Sequence, residues 1–530
     1  MTMTDLQSSF SGAIGYVRRH RIKFALQAAN IVFGVLALSL ALSGVLPMSL
    51  VNFVFFSFLL LLVALYRPVW IFLLLVGMLP YEIVNLAPAE VGFMLRPYQW
   101  LMIILLGAVV IRWFVGRRAV PNLRFVWIDA LPAVFSMGAL IAAIGAHPSG
   151  PAFRLALILS SFVGLYFVVR LFIRSAKEAV HVVPFLSASF AIVALWSLMQ
   201  NILFALGGAH FEVMAGRPNG SFSEPDWLGM YLLFFVALAL AWLYRHLVLR
   251  QRPILSIAPS LLLFLASLVL FLSMTRSAWI GLAAMGAFFA LAVMTVSMKL
   301  GEPKRGARLL GQSAGIIVIA LLLIPLLHLS RFDIFDRAAS TGGEQKITIA
   351  CDGDSTLPVR LEKIESLDQL SAWHCRHIML EDIAMEQAAG RSITTVYRDD
   401  PNVSIRKSIY ERIFASGSER PVQGIGWGNI GTRLGSDERG AALNASNMFL
   451  EFWLGSGLIG LVAFSLLWFV LGFQSGRLAL SGGQEEVAFP LFFHLAWIGC
   501  TVFNLFNSGI LLGFFFFLLG LGGLLFQRRS

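Results

Sequence analysis

The sequence predicts an all-α polytopic membrane protein, on the basis of its composition and its hydropathy pattern. Of its 530 residues, 58% are hydrophobic and 13% are charged, whereas soluble domains carry about 25% charged residues. The apolar residues are gathered in separate runs of roughly 20 residues, which is the length a helix needs to cross a bilayer. The alternating segments of about ten residues that are typical of membrane β-barrels are absent from the sequence.

About fourteen apolar runs can be counted, and they define the domain organisation. Transmembrane helices 1–11 are predicted within residues 1–328, a large polar loop within 329–446, and helices 12–14 within 447–530. The runs lie at 24–46, 50–66, 69–87, 98–116, 126–145, 154–173, 181–206, 227–247, 254–274, 278–297, 309–328, 447–473, 487–507 and 510–526.

Positively charged residues orient these helices. A basic cluster from Arg18 to Lys23 precedes the first run, and Lys or Arg occurs at nearly every second connection. Because cytoplasmic loops are enriched in Lys and Arg, both termini are predicted to be cytoplasmic. The segments 207–226, 274–276 and 329–446 then lie on the outer, periplasmic face. The cytoplasmic loops also account for the net charge of +11, so we expect the lipid bilayer and no nucleic acid as a partner.

The large loop is predicted to contain a small folded α/β insert at residues 336–403. The segments EQKITIAC and SITTVY alternate like strands. Residues 366–390 between them are predicted to form one helix, which begins with a capping box and ends at Gly390.

Two cysteines of this insert, Cys351 and Cys375, allow two interpretations. They are a candidate disulfide if the insert lies in an oxidising compartment, and otherwise they are two separate thiols. Together with His374 and His377 they also suggest a metal site. Their spacing matches no standard zinc pattern, and we therefore predict no metal.

Residues 404–416 are predicted to form an amphipathic helix on the outer membrane surface. Its isoleucines recur every four residues and define an apolar face: Ile405, Ile409 and Ile413. On such a helix Arg406 and Tyr410 share one face. The glycines of GIGWGN, which follow this helix, lack the Lys of a phosphate-binding loop and predict a tight turn instead.

Three arginines on the outer face are the candidate functional residues. Arg217 lies in GRPNGSFSEPDWLG, Arg276 lies between two apolar helices in SMTRSAWIG, and Arg406 lies on the amphipathic helix. A guanidinium group bonds phosphate oxygens in a bidentate manner, so several converging arginines favour a phosphate or diphosphate ligand. The alternative is that each arginine extends to the lipid headgroups.

The stretches that carry these arginines resemble motifs of the O-antigen ligase and O-antigen polymerase family of bacterial membrane glycosyltransferases. The resemblance covers roughly residues 200–475. It rests on GRPNGSFSEPDWLG, on SMTRSAWIGL, and on IRKSIYERIFASGSERPVQGIGWGNIG followed by SNMFLEFWLGSGLIGL. Each motif is weak alone, but their order, their spacing and their shared external placement are typical of this family.

This resemblance implies an enzyme of the bacterial inner membrane that acts at the periplasmic face without a metal, a nucleotide sugar or another cofactor. Its partners would be a glycan donor linked to undecaprenyl diphosphate and a glycan acceptor. Polysaccharide export or chain-length proteins would be further partners. Arg217, Arg276 and Arg406 would bind the diphosphate, with Tyr410 and Asn447 in support.

One residue departs from the family pattern. Ser446 precedes Asn447 where the family commonly has a histidine, which is the usual candidate for the general base. Ser446 can support the site but cannot replace that histidine. The carboxylates that could take its place are Glu224, Asp226 and Glu451.

Three functions remain open at this point. The first is the polymerisation of lipid-linked repeat units into exopolysaccharide, capsule or O-antigen, which the number of predicted spans slightly favours. The second is a ligase or O-linked oligosaccharyltransferase that transfers glycan to lipid A-core or to protein. The third is an anion or solute transporter. A transporter would be expected to show interrupted helices in two matching halves, and the sequence contains no convincing internal repeat.

Overall fold

The computed structural model describes most of the chain, with interruptions at both ends and in several connections. The described residues are 21–116, 125–207, 211–249, 253–330, 334–339, 343–353, 363–400, 402–436, 440, 442–481 and 487–526. Arg18 and Arg19 of the N-terminal basic cluster and the C-terminal Arg528 and Arg529, which contributed to the predicted orientation, lie outside these residues.

The protein is mostly helical, and the described helices correspond to the predicted apolar runs. Nine of them are long and apolar enough to cross a membrane, and five shorter apolar helices match the remaining runs. The α-helices are Arg21–Leu42, Leu50–Tyr66, Pro68–Met78, Pro97–Phe114, Ala130–Gly145, Ser149–Phe172, Ala176–Ala179, Val183–Ala205, Pro225–Tyr244, Ile257–Leu272, Arg276–Lys299, Pro303–Leu326, Ile334–Ala339, Asp368–Ala372, Ile383–Ala388, Asn402–Glu419, Ile430–Leu434, Met448–Ser481, Ala488–Asn504 and Gly513–Gly522.

The chain is divided into two compact units. The first unit comprises residues 1–129, 161–195 and 511–530, and the second comprises residues 130–160 and 196–510. The second unit therefore contains all three stretches that carry the predicted diphosphate-binding arginines.

The first unit contains two buried clusters of charged and phenolic side chains. In one, Arg170 Nε lies 2.9 Å from Asp129 Oδ1, and both side chains are fully buried. Tyr166 donates a further hydrogen bond to the same carboxylate. In the other, Arg96 pairs with Glu82 at 2.5 Å. Because a buried charge is costly unless it is paired, these contacts hold together the segments that carry the paired residues.

We predict that Arg170→Ala lowers the free energy of unfolding by about 3–5 kcal/mol, because it leaves the Asp129 carboxylate buried without its cation. Thermal unfolding of the purified protein in detergent would measure the loss. Lys177→Ala, at an exposed position of the same unit, is the control and should change stability by less than about 0.5 kcal/mol. Equal midpoints for the two variants would contradict this account.

The longest helix of the second unit, Met448–Ser481, is interrupted by Gly457, whose φ is 65°. The glycine-rich turn GIGWGN packs at this interruption. The amide of Ile425 donates to the carbonyl of Leu454 at 2.8 Å, and the amide of Leu458 donates to that of Val422 at 3.1 Å. A side chain at position 457 would collide with the backbone of Val422. The turn therefore anchors the segment that follows the amphipathic helix.

The insert of the large loop contains a four-stranded sheet with the order β2-β4-β1-β3. The strands are β1 (Glu344–Cys351), β2 (Lys363–Ile364), β3 (Cys375–Ile378) and β4 (Ser392–Asp399). The antiparallel register of β1 and β3 places Cys351 opposite Cys375, and the two form a disulfide bond. The bond joins two strands of a small apolar core, which also contains Ile349 and Val396.

The prediction of one helix over residues 366–390 is wrong. Two short helices, Asp368–Ala372 and Ile383–Ala388, flank the strand Cys375–Ile378. His374 has a φ of 54°, which is incompatible with a continuing α-helix. The pairing with β1 and the disulfide then hold the following residues in the sheet, so long-range contacts override the local helical pattern.

The amphipathic helix is longer than predicted. It extends over Asn402–Glu419 rather than over residues 404–416. Ile409 and Ile413 are buried, whereas Ile405 is 40% exposed. The isoleucine face is therefore only partly covered by the second unit.

Candidate active site

Arg217 lies in the loop before the helix Pro225–Tyr244 and forms an ion pair with Asp226 in the first turn of that helix. Arg217 Nη2 and Asp226 Oδ1 are 2.9 Å apart, and their side chains are 14% and 33% exposed. Arg217 Nε donates to the carbonyl oxygen of Ser273 at 3.2 Å. Thr275 Oγ1 donates to Asp226 Oδ1 at 3.0 Å. The loop that carries Arg217 is therefore joined directly to the turn that precedes Arg276.

Arg276 is the first residue of the helix Arg276–Lys299, and its side chain is directed towards the insert. Arg276 Nη1 lies 3.1 Å from Asp400 Oδ2, and their side chains are 18% and 1% exposed. The amide of Asp400 donates to the carbonyl oxygen of Gly343 at 2.9 Å, which closes the base of the β-sheet. Arg276 thus connects a membrane helix with the folded insert.

A third arginine, Arg337, lies close to both of these ion pairs. Burial lowers its pKa to about 10, and the positive charges of Arg217 and Arg276 contribute in the same direction. The carboxylates of Asp226 and Asp400 act in the opposite direction. We call these five residues the arginine cluster.

The charges of the arginine cluster do not balance. Among these five described residues, three guanidinium groups lie near two carboxylates, so the five taken together have a formal positive charge at neutral pH. A planar guanidinium forms strong, bidentate hydrogen bonds with phosphate oxygens. An anion with several oxygens would neutralise the excess charge and relieve the repulsion among the arginines.

We predict that the affinity of the cluster for inorganic pyrophosphate falls as the pH rises through about 10, because Arg337 then loses its proton. Below that pH Arg337 is charged and the affinity is retained. Isothermal titration of the purified protein at increasing pH measures this change. Arg337→Gln should bind about tenfold more weakly at neutral pH and should lack this step. A wild-type affinity that is constant across this range would contradict the assignment.

Arg406 lies apart from these contacts. Its guanidinium carbon is 5.5 Å from the ring centroid of Phe506, and its Nη2 donates to the carbonyl oxygen of the same residue at 3.4 Å. Together with Tyr410 and three neighbours it lines an open groove of about 480 Å³ along the amphipathic helix; the neighbours are Lys407, Glu411 and Phe414. The prediction that Arg406 and Tyr410 share a face agrees with this arrangement.

Ser446, Asn447 and Glu451 form the turn at which the long helix begins. Ser446 has a φ of 51°, and Asn447 Oδ1 accepts hydrogen bonds from the amides of the first helical turn, at 3.0 Å from that of Phe449. Glu451 is 8% exposed, and its carboxylate accepts a hydrogen bond from the amide of Ala445 at 2.7 Å. These contacts hold the turn in place. The residue before Asn447 is Ser446 and not a histidine.

The candidate bases occupy different surroundings. Asp226 belongs to the arginine cluster and is one-third exposed. Glu224, immediately before the same helix, is half-buried. Glu451 is buried in the turn just described. Among these three carboxylates, Asp226 forms an ion pair with Arg217.

Sequence reasoning missed two members of the cluster, Arg337 and Asp400. Arg337 occurs in the short segment IFDRAA, which matches no motif. Asp400 follows the last strand of the insert. In the sequence, each of the two is marked only as a charged residue near one end of the predicted insert, residues 336–403, which is predicted to lie on the outer face.

Residues 261–465 match the family model that is described as O-antigen ligase. No curated protein and no solved structure shows a significant match to the chain. The matched region contains most of the residues described above, namely Arg276, Arg337, Asp400, Arg406 and Glu451. Arg217 and Asp226 precede it.

Proposed function

We propose that this chain, in which residues 261–465 form a domain of the O-antigen ligase family, is a membrane glycosyltransferase that uses a glycan donor linked to undecaprenyl diphosphate. The family match supports the transfer of a glycan in a membrane. The identity of the lipid carrier and the roles of the residues are part of this proposal.

The convergence of Arg217, Arg276 and Arg337 is the observation that carries this proposal. These residues come from three separate segments, and the carboxylates of Asp226 and Asp400 lie among them. A diphosphate carries the charge and the oxygen atoms that such a site would bind. Arg406 would bind the donor from the amphipathic helix, beside Tyr410.

The proposed reaction exchanges one bond at the anomeric carbon of the donor. The acceptor hydroxyl oxygen forms a bond to that carbon while the bond from the carbon to the diphosphate oxygen breaks. The hydroxyl proton passes to a base, for which we propose Asp226, with Glu224 and Glu451 as alternatives. The bonding electron pair leaves with the diphosphate, and the arginines stabilise its developing negative charge.

The proposed topology has about fourteen spans, with both termini in the cytoplasm of a bacterial cell and the site at the periplasmic face. It treats the five shorter apolar helices as spans in addition to the nine longer ones. All members of the arginine cluster lie in the segments that this topology assigns to the outer face, or at the membrane end of one of them. The disulfide of the insert suits an oxidising compartment.

For the acceptor, we propose another lipid-linked repeat unit, so that the product is a polysaccharide. The second candidate is a ligase that transfers the glycan to lipid A-core or to a protein, and the description of the matching family model favours it.

An in vitro assay tests the proposal. The purified protein in lipid nanodiscs is incubated with lipid-linked oligosaccharide extracted from its source organism, and the products are separated by size. A ladder of repeat-unit multiples supports a polymerase. Transfer only to added lipid A-core or protein would support the ligase. If folded wild-type protein transfers glycan to none of these acceptors, the proposed function is wrong, and uptake assays would then test a transporter.

A further inference from the structure

A short loop between the helices Ala488–Asn504 and Gly513–Gly522 contacts Arg406, Asn447 and Ser277, the residue that follows Arg276. We call residues 505–509 the LFNSG loop. The loop is closed by a hydrogen bond from the amide of Gly509 to Asn504 Oδ1 at 2.8 Å, and Asn504 is fully buried. The loop lies outside the residues that match the family model.

The first contact is with the residue that follows Arg276. Asn507 Nδ2 donates to Ser277 Oγ at 2.7 Å. Ser277 is 7% exposed, so the hydrogen bond is largely shielded from water. It ties the loop to the first turn of the helix that Arg276 begins.

The second contact is with Arg406 of the amphipathic helix. Phe506 provides its backbone carbonyl oxygen as an acceptor at 3.4 Å and its ring as a cation–π partner, with a distance of 5.5 Å from the centroid to the guanidinium carbon. These two contacts constrain the guanidinium from two directions.

The third contact is with the turn that begins the long helix. Asn447 Nδ2 donates to the carbonyl oxygen of Leu505 at 3.5 Å. The Ser508 hydroxyl faces the Glu451 carboxylate but is not in hydrogen-bond geometry with any described group. The loop thus meets the turn that contains Ser446 and Asn447.

We propose that Asn507 is a positioning residue that, through Ser277, sets the placement of Arg276 relative to Arg406. This inference rests on the proposed function, because it assumes that both arginines act on one donor. Asn507 itself touches no substrate. The two arginines lie on elements far apart in sequence. In the loop, Phe506 contacts Arg406, and the adjacent Asn507 contacts Ser277, the residue that follows Arg276.

We expect this effect because transition-state stabilisation depends closely on where the cations are placed. Guanidinium groups lower the barrier only if they already point to the oxygen on which charge develops, and a displacement of about 1 Å can cost a large part of the rate. Losing the Asn507 contact should therefore lower kcat more than it changes the KM for the donor.

A double-mutant cycle in the transfer assay tests this inference. Asn507→Ala and Ser277→Ala should each lower kcat about fivefold, with little change in the donor KM. The double variant should be no slower than either single variant, because both substitutions remove the same hydrogen bond. The same variants are also tested for the binding of undecaprenyl diphosphate in nanodiscs, a measurement that needs no acceptor. Their affinities should differ from that of the wild type by less than about twofold.

A matched control distinguishes positioning from a general loss of structure. Ser475→Ala removes a buried hydrogen bond to His494 Nδ1, at 3.0 Å in the same unit, and should leave kcat unchanged. Additive effects in the cycle, or an unaltered kcat in Asn507→Ala, would overturn the inference while the proposed function stands. A wild-type protein without transferase activity would instead count against the proposed function. In that case, the inference is also overturned.

Discussion

The Arg276→Ala variant is expected to lower kcat/KM for the lipid-linked donor by about 10²–10³-fold. Arg276 lies near the segments that carry Asp226 and Asp400, and the contact with Asp400 orients its side chain. Its loss removes a fixed cation from the place where we propose that the diphosphate leaves. Initial rates of product formation at several donor concentrations would measure the effect.

Two further variants make this prediction specific. Arg276→Lys keeps the charge but not the planar fork, so it should recover only part of the rate. Arg305→Ala removes an arginine whose ion pair with Glu302 is exposed, and it should leave the rate unchanged. If Arg276→Ala and Arg305→Ala had the same activity, the arginine cluster would not be the site of transfer.

The Asp226→Asn variant is expected to lower kcat by about 10²–10⁴-fold, which is the usual contribution of general-base catalysis. An amide of the same shape can still bond to Arg217 and to Thr275, but it cannot accept the proton of the acceptor hydroxyl. The KM for the donor should change little. The loss is measured as kcat at saturating donor.

The other carboxylates provide the comparison for this prediction. Glu224→Gln and Glu451→Gln should each retain most of the wild-type kcat if Asp226 is the base. A larger loss in either of them than in Asp226→Asn would move the base to that residue. The Glu451 carboxylate also accepts a hydrogen bond from the amide of Ala445. The unfolding temperature of Glu451→Gln must therefore be compared with that of the wild type, and the two should be equal.

Hydropathy predicted the positions of the helices correctly, because a helix that crosses a bilayer requires a long apolar run. All fourteen predicted runs overlap described apolar helices. The strands β1 and β4 were also predicted, since their residues alternate. The strand β3 was not, because only its pairing with β1 and its disulfide keep Cys375–Ile378 out of a helix.

The site was predicted only where a motif marked a residue. Arg217, Arg276 and Arg406 were singled out, and the structure brings the first two together. Arg337 and Asp400 were missed because their importance depends on contacts between segments far apart in sequence: Asp400 lies 124 residues from its partner Arg276. Asn507 and Ser277 lie 230 residues apart in the sequence, and no local sequence pattern indicates their contact.

The binding of undecaprenyl diphosphate to the purified protein in nanodiscs is the most direct test of the central claim, which is that the three arginines hold a lipid diphosphate. We predict saturable binding by the wild type, competition by inorganic pyrophosphate, and affinities reduced by about tenfold in Arg217→Ala, Arg276→Ala and Arg337→Ala. Undecaprenol, which lacks the diphosphate, is the control ligand and should not compete. If a variant that combines these three substitutions bound undecaprenyl diphosphate as tightly as the wild type, the central claim would be contradicted.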